Sequence, residues 1–249
     1  MVCETFSEGG SVVHRLDPRG RVVVAAAFSL LIAVSDRFGV LGIGLALAVA
    51  GALLARLPFL PVLKRLGGLN AFMAMLWVVL PLTAARTETV LVGPLAVSRE
   101  GLLLAARITL KANTILLALT VLVSTLEVTT LGHALSHLRV PDKLVHLLLF
   151  TVRYVDVLHH EYARLRQAMR VRCFRAGTNR HTYRMLGYLV GMLLVKSVDR
   201  SERIMAAMKC RGFCGRFYVL THFAFAGRDA AFGVVSLAGL FTLGWMTWA

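Results

Sequence analysis

The chain has 249 residues, 57% of them hydrophobic and only 16% charged, with a formal net charge of +15. Soluble domains carry about 25% charged residues, so this composition, with a mean hydropathy of +0.72, excludes an ordinary soluble fold and points to an integral membrane protein. In a soluble chain the positive charge would suggest nucleic acid; in a membrane protein it reflects the gathering of Lys and Arg on the cytoplasmic side, and no nucleic-acid partner is expected.

In chain order, residues 1–21 form a polar lead without a cleavable-signal pattern, and Arg15, Arg19 and Arg21 stand just ahead of the first apolar run. Leu16-Asp17-Pro18-Arg19 reads as a helix start, with Asp17 as cap and Pro18 in the first turn. The apolar stretch from Val22 to Ala55 is broken by Asp36-Arg37. A membrane span needs about 20 residues, so the stretch is read as two short or tilted helices in a tight hairpin. Arg56, Lys64 and Arg65 then mark a short basic loop around Pro58 and Pro61, and Gly68 to Ala85 is the next span. Residues 86–100 balance acid against base and suggest a small β-hairpin around Gly93-Pro94. Gly101 to Val123 and Asp229 to Trp248 are the remaining spans.

Between those last two spans, residues 125–228 hold 17 Lys or Arg against 6 Asp or Glu. Positive charge stays inside, so the N-terminus, the 56–66 loop and residues 125–228 are expected in the cytoplasm, and residues 36–37, 86–100 and the C-terminus outside. The expected fold is all-α and polytopic, with about five transmembrane helices and two long amphipathic cytoplasmic helices. Residues 1–124 form the N-terminal transmembrane region of about four spans, 125–228 the cytoplasmic coupling helices and 229–249 the C-terminal transmembrane helix. Within 125–228 a short amphipathic helix covers 125–140, a long one runs from about Asp142 to Phe174, and a second from about Tyr183 to Gly212.

The two long helices end alike. Residues 164–174 and 203–213, offset by 39 positions, share Arg, Ala, Met, Arg and Phe in the same order. Leu165, Met169 and Arg172, like Ile204, Met208 and Arg211, are spaced by four and then three, which keeps each set on one helix face. Each unit is an apolar stripe closed by an arginine. Packing of ordinary amphipathic helices does not require the same order twice. A two-fold partner, which offers the same groove twice, does. The stripes would lie in grooves of that partner, and each guanidinium would bind a carboxylate bidentately. A cytoplasmic two-fold partner of a membrane protein suggests a pair of ATPase subunits.

These features carry a resemblance. Leu16-Asp17-Pro18-Arg19, Ser124-Thr125, Val140-Pro141, Arg153-Tyr154, Glu161 and the two arginine units are similar to the transmembrane T component of energy-coupling factor (ECF) importers, and most to its cobalt-transport CbiQ type. In that family each unit carries an Ala-Arg-Gly-like triplet whose arginine docks on one ATPase. The corresponding triplets here are Val171-Arg172-Cys173 and Cys210-Arg211-Gly212. Both arginines match, whereas Cys173 stands where Gly is usual, and the Ser-Thr-Thr-Pro run is reduced to Ser124-Thr125-Leu126-Glu127.

The resemblance implies a non-enzymatic energy-coupling subunit in the bacterial inner membrane. It would link two cytoplasmic ABC-type ATPase subunits, which hold ATP and Mg2+, to a small substrate-binding membrane subunit that holds the cargo. Cobalt is the expected cargo; nickel or a vitamin is the alternative. This chain is expected to bind no cofactor or metal itself. It has no GxxxxGK[ST] run for ATP, no GxSxG and no HExxH. His133 and His137 sit four apart without a third ligand, adjacent His159 and His160 point apart on a helix, and Cys210 and Cys214 form a lone CxxxC pair. Arg107 and Lys111 share one face of the fourth span; they either snorkel to the interface or meet the substrate-binding subunit or an internal carboxylate. A secondary transporter would need a mid-membrane site and repeated membrane halves, and a simple membrane adaptor would need no five-span body.

Overall fold

The computed structural model describes residues 16–55, 57–83, 89–92, 95–138, 140–213 and 227–248. Its contacts divide the chain into two compact units. One holds α1 (Pro18–Val34), α2 (Phe38–Leu54), α3 (Phe59–Thr83), a hairpin of β1 (Thr89–Val92) and β2 (Leu95–Ser98), α4 (Arg99–Leu122), α5 (Val128–His137) and α8 (Gly227–Trp248). The other holds α6 (Asp142–Val171) and α7 (Arg180–Cys210).

In the larger unit, α1 starts as its sequence dictates. Pro18 takes the first helical position, where a missing N–H costs nothing, and Asp17 Oδ1 accepts the Arg19 N–H at 3.0 Å. Ser35–Arg37 separate α1 from α2, so the stretch from Val22 to Ala55 is two helices. Each has 17 residues, about 26 Å at 1.5 Å per residue, slightly short of a bilayer core. The end of α1 is closed by Lys111, whose Nζ donates to the Ala33 carbonyl and to Asp36 Oδ1, both at 2.9 Å. The carboxylate that Lys111 meets is the exposed one of Asp36 in the α1–α2 turn, not one inside the bundle. Beside it, the Arg107 guanidinium lies 5.1 Å from the centre of the Phe38 ring.

Helix α3 begins well before the expected Gly68 and takes in Lys64 and Arg65. Pro61 falls in its first turn, the one part of a helix that tolerates proline, so the basic loop shrinks to a short link. The hairpin strands pair antiparallel, Val92 opposite Leu95 and Thr89 opposite Ser98.

Helix α4 is the central element, packed on α1, α2 and α3. Phe28, Ile32, Val40, Leu41, Ala48, Leu117, Ala118 and Leu243 form the main core. Gly44 lets Ile32 pack closely there: a Cβ on it would stand 2.5 Å from Ile32 Cδ1, so the tip of that side chain would have to shift. Two tethers fix the direction of α8. Asp229 Oδ1 accepts the Asp17 N–H at 2.8 Å, and Arg37 Nη1 donates to the Met246 carbonyl at 3.1 Å. The start of α8 therefore lies at the start of α1 and its end at the end of α1, so the two helices run parallel. By contrast α4 runs against α1, because Lys111 meets the end of α1 while Thr125 meets Arg21 near its start.

Helices α3, α4 and α8 are long and apolar enough to cross a membrane, and α2 is a shorter apolar helix. On α8, Val234, Val235, Leu237, Phe241 and Trp245 are each at least 66% exposed. A soluble protein does not leave so large an apolar face to water; lipid accounts for it.

Candidate functional site

Both helices of the smaller unit end in the same backbone device. At the end of α6 the Phe174 N–H donates to the Met169 carbonyl at 3.1 Å and the Cys173 N–H to the Arg170 carbonyl at 3.0 Å. At the end of α7 the Phe213 N–H donates to Met208 at 3.1 Å and the Gly212 N–H to Lys209 at 3.0 Å. This pair of bonds, six residues back to one and five back to two, is the Schellman motif. It satisfies carbonyls that a helix end otherwise leaves without partners.

The motif explains the repeat residue by residue. Met169 and Met208 are the third residues from the helix end and Arg172 and Arg211 the C-caps. Cys173 and Gly212 take the left-handed position, with φ of 58° and 79°. Phe174 and Phe213 follow, where an apolar side chain returns onto the helix. Cys173 therefore keeps the geometry that Gly supplies at the second site, although an L-residue with a Cβ is disfavoured there.

The arginines face out. Arg172 and Arg211 are exposed, and while their backbone N–H groups bond back into the helix, their guanidinium groups make no hydrogen bond or ion pair among the described residues. Val171, Cys173, Cys210 and Gly212 are exposed as well, and both thiols are free. The four stripe residues, Leu165, Met169, Ile204 and Met208, are half-buried within the unit itself. Ile204 and Met208 line a cavity of about 400 Å³ between α6 and α7, with Phe150, Tyr154 and Phe213 on its wall. Met169 and Arg172 line a separate cavity of about 380 Å³ with Phe174, Arg175, His181 and Met185.

The two helices are joined by a charge cluster. The Lys196 ammonium donates to Glu161, which is buried, and Arg164 lies 3.7 Å from the other carboxylate oxygen. That hydrogen bond, reinforced by the charges of Lys196, Arg164 and Arg200, holds the Glu161 carboxyl below the usual carboxylate range. Lys196 was legible as the one basic residue in an otherwise apolar run of α7, yet sequence reasoning did not pair it.

A second missed pair sits in the larger unit at the end of α4. Arg65 Nη1 donates to Ser124 Oγ at 2.9 Å, and Arg21 Nη2 donates to Thr125 Oγ1. Arg21 is fully buried, and its Nε and Nη1 find no acceptor among the described residues. Sequence reading counted Arg21 and Arg65 only as orientation charges; in the structure they clamp Ser124-Thr125. Among the described residues no three His, Cys, Asp or Glu side chains gather as metal ligands. Cys214 lies outside the described residues, and so does Gly93-Pro94.

Comparison with known proteins decides the family. The CbiQ family, described as "Cobalt transport protein", matches residues 9–222. The chain belongs to the CbiQ family. It is similar over most of its length to the energy-coupling factor transporter transmembrane protein EcfT of Listeria innocua, 26% identical over 96% of each chain. It is likewise 25% identical to EcfT of Acidaminococcus fermentans over 98% of this chain and 95% of that one. The cobalt transport protein CbiQ of Rhodobacter capsulatus is 30% identical over 57% of this chain and 61% of its own. The chain is thus a membrane-embedded, CbiQ-like T component of an ECF transporter.

Proposed function

We propose that this T component couples ATP hydrolysis in two cytoplasmic ABC-type ATPase subunits to movement of a small substrate-binding membrane subunit, with Arg172 and Arg211 as the two docking points. The observation that carries this is the pair of identical Schellman ends, each turning an exposed arginine outward. The two points lie near opposite ends of α7, because Phe174 packs against His181 at its start while Arg211 caps its end. The 31 residues of α7 span about 46 Å at 1.5 Å per residue, a separation suited to two subunits rather than one groove. Residues 171–173 and 210–212 are the coupling triplets, and the half-buried Leu165, Met169, Ile204 and Met208 brace them. ATP and Mg2+ belong to the ATPases, and the cargo to the substrate-binding subunit.

Cobalt is the cargo we favour, on the family's description. The second reading is the same coupling module serving nickel or a vitamin. The proposed setting is the bacterial inner membrane, with the N-terminus and residues 125–228 cytoplasmic. The parallel run of α1 and α8 supports their starts lying on one face, and the 17 Lys or Arg against 6 Asp or Glu in residues 125–228 favour the cytoplasm for that face.

Losing an arginine paired in a partly buried pocket costs about 2–5 kcal/mol, or roughly 30-fold or more in affinity per site. The Arg172→Ala plus Arg211→Ala variant should fold, reach the membrane and lose both ATPases on co-purification. Retention of both at wild-type stoichiometry, with wild-type ATPase rate, refutes the proposal. Uptake of labelled cobalt against nickel by cells expressing the complete transporter separates the two cargo readings.

A further inference from the structure

The two docking ends share a backbone but not an electrostatic setting. Between Glu161 and Asp199 the chain has no acidic residue, yet it carries Arg164, Arg166, Arg170, Arg172, Arg175, Arg180 and Arg184. All seven are exposed. Arg164 pairs with Glu161, and Arg184 binds the Tyr188 hydroxyl at 2.9 Å. The guanidinium groups of the other five make no hydrogen bond or ion pair among the described residues. They surround the first end. At the second, Asp199 and Glu202 offset Arg200 and Arg203 and leave only Lys209 and Arg211. The adjoining cavity is walled by Phe150, Tyr154, Ile204 and Met208 beside the paired charges of Glu161 and Lys196 and the Arg200 guanidinium.

We infer that the end at Arg172 is built for a carboxylate-rich surface of its ATPase, whereas the end at Arg211 docks with little electrostatic steering. The inference rests on the docking role proposed above. It replaces the exact two-fold partner expected from the repeat with two ATPase surfaces that share a groove for the arginine and differ in the charge around it. Like charges this dense repel one another unless a partner supplies the opposite sign, and they raise the rate at which an acidic surface arrives. The shape beside them favours protein over lipid. Met169, Phe174 and Met185 floor a recess with Arg172 and Arg175 at its rim, which suits an inserted acidic segment with an apolar side chain. At about 100° per residue, Arg164, Arg166 and Arg172 stand on three different sides of the α6 end. A helix lying on a membrane gathers its basic residues on one face.

The test uses the complete transporter in nanodiscs, with a thiol-reactive photo-crosslinker on a chain that keeps either Cys173 or Cys210 and has Ser at its other cysteines. Salt is raised from about 50 to about 500 mM KCl, which shortens the Debye length from roughly 14 to roughly 4 Å. The expected result is an ATPase cross-link from Cys173 that falls at least ~5-fold, with the Cys210 cross-link changing less than ~2-fold. Replacing Arg166, Arg170 and Arg175 with Gln should flatten the first response and leave the second unchanged. Equal salt responses at the two ends overturn the inference. So does a Cys173 response that vanishes when phosphatidylglycerol is replaced by phosphatidylcholine, which would identify the patch as a lipid site. Failure of the ATPases to co-purify with the unlabelled wild-type chain would instead overturn the docking role.

Discussion

The left-handed Cys173 offers a test of the helix ends that needs no partner. Its φ of 58° lies where a Cβ crowds the carbonyl of its own residue, at a cost of about 1–2 kcal/mol relative to glycine. Cys173→Gly removes that strain but loosens the unfolded chain by about 0.4–1 kcal/mol. The net gain is about 0–1.6 kcal/mol with a midpoint of ~0.8 kcal/mol, a ~4-fold shift toward the closed helix end. Gly212 supplies the mirror experiment. A Cβ placed there meets nothing within 4 Å, so with φ at 79° the penalty of Gly212→Ala is conformational and not a clash. Hydrogen exchange followed by mass spectrometry on peptides covering 169–176 and 208–213 reads each end separately. Protection of the Cys173 and Phe174 amides should rise in Cys173→Gly, and that of the residue 212 and Phe213 amides should fall in Gly212→Ala. If both substitutions leave exchange unchanged, the Schellman geometry does not hold the ends, and the account of the repeat fails.

Three further outcomes follow from the packing. Because the Glu161 carboxyl is depressed in the folded chain, its pairing stabilises α6 against α7 above the ordinary glutamate value of about 4.3 and is lost as pH falls through the lower folded value; Glu161→Gln should raise hydrogen exchange along α6 and α7 at pH 7, and that difference should vanish in acid. Thr125→Val strips the buried Arg21 of its hydroxyl acceptor and should cost about 1–3 kcal/mol, seen as a lower Tm in detergent that Thr125→Ser recovers. Gly44→Ala drives a methyl against Ile32 Cδ1 and should cost about 1–3 kcal/mol; adding Ile32→Val should return much of the lost Tm, and a Tm unaffected by either change would show that α1 and α2 do not meet there.

Much of the fold was readable because membrane helices announce themselves by long apolar runs. Asp36-Arg37 marked the break between α1 and α2, and Asp17-Pro18 marked the start of α1. The start of α3 was misplaced because Lys64 and Arg65 were read as loop charges, whereas a helix can carry them when Ser124 meets one. The repeat at Met169 and Met208 was visible in the sequence, but its cause was not. Arg, Cys and Phe in one register and Arg, Gly and Phe in the other become one motif only when the φ of Cys173 is known. The pairings of Lys196 with Glu161 and of Arg21 with Thr125 join residues 35 and 104 positions apart. No local pattern specifies such contacts; they come from how the helices return beside one another.

The Schellman closures also change what a partner has to do on arrival. Fixing one residue's backbone costs about 1–2 kcal/mol in conformational entropy, so a frayed end ordered only on contact would draw several kcal/mol from the binding free energy for residues 171–174 alone. Here the carbonyls of Met169 and Met208 are already bonded, and that ordering belongs to folding. If the ends dock as proposed, they would meet their partner preorganised, which would leave binding energy to displace whole helices instead of shaping their tips.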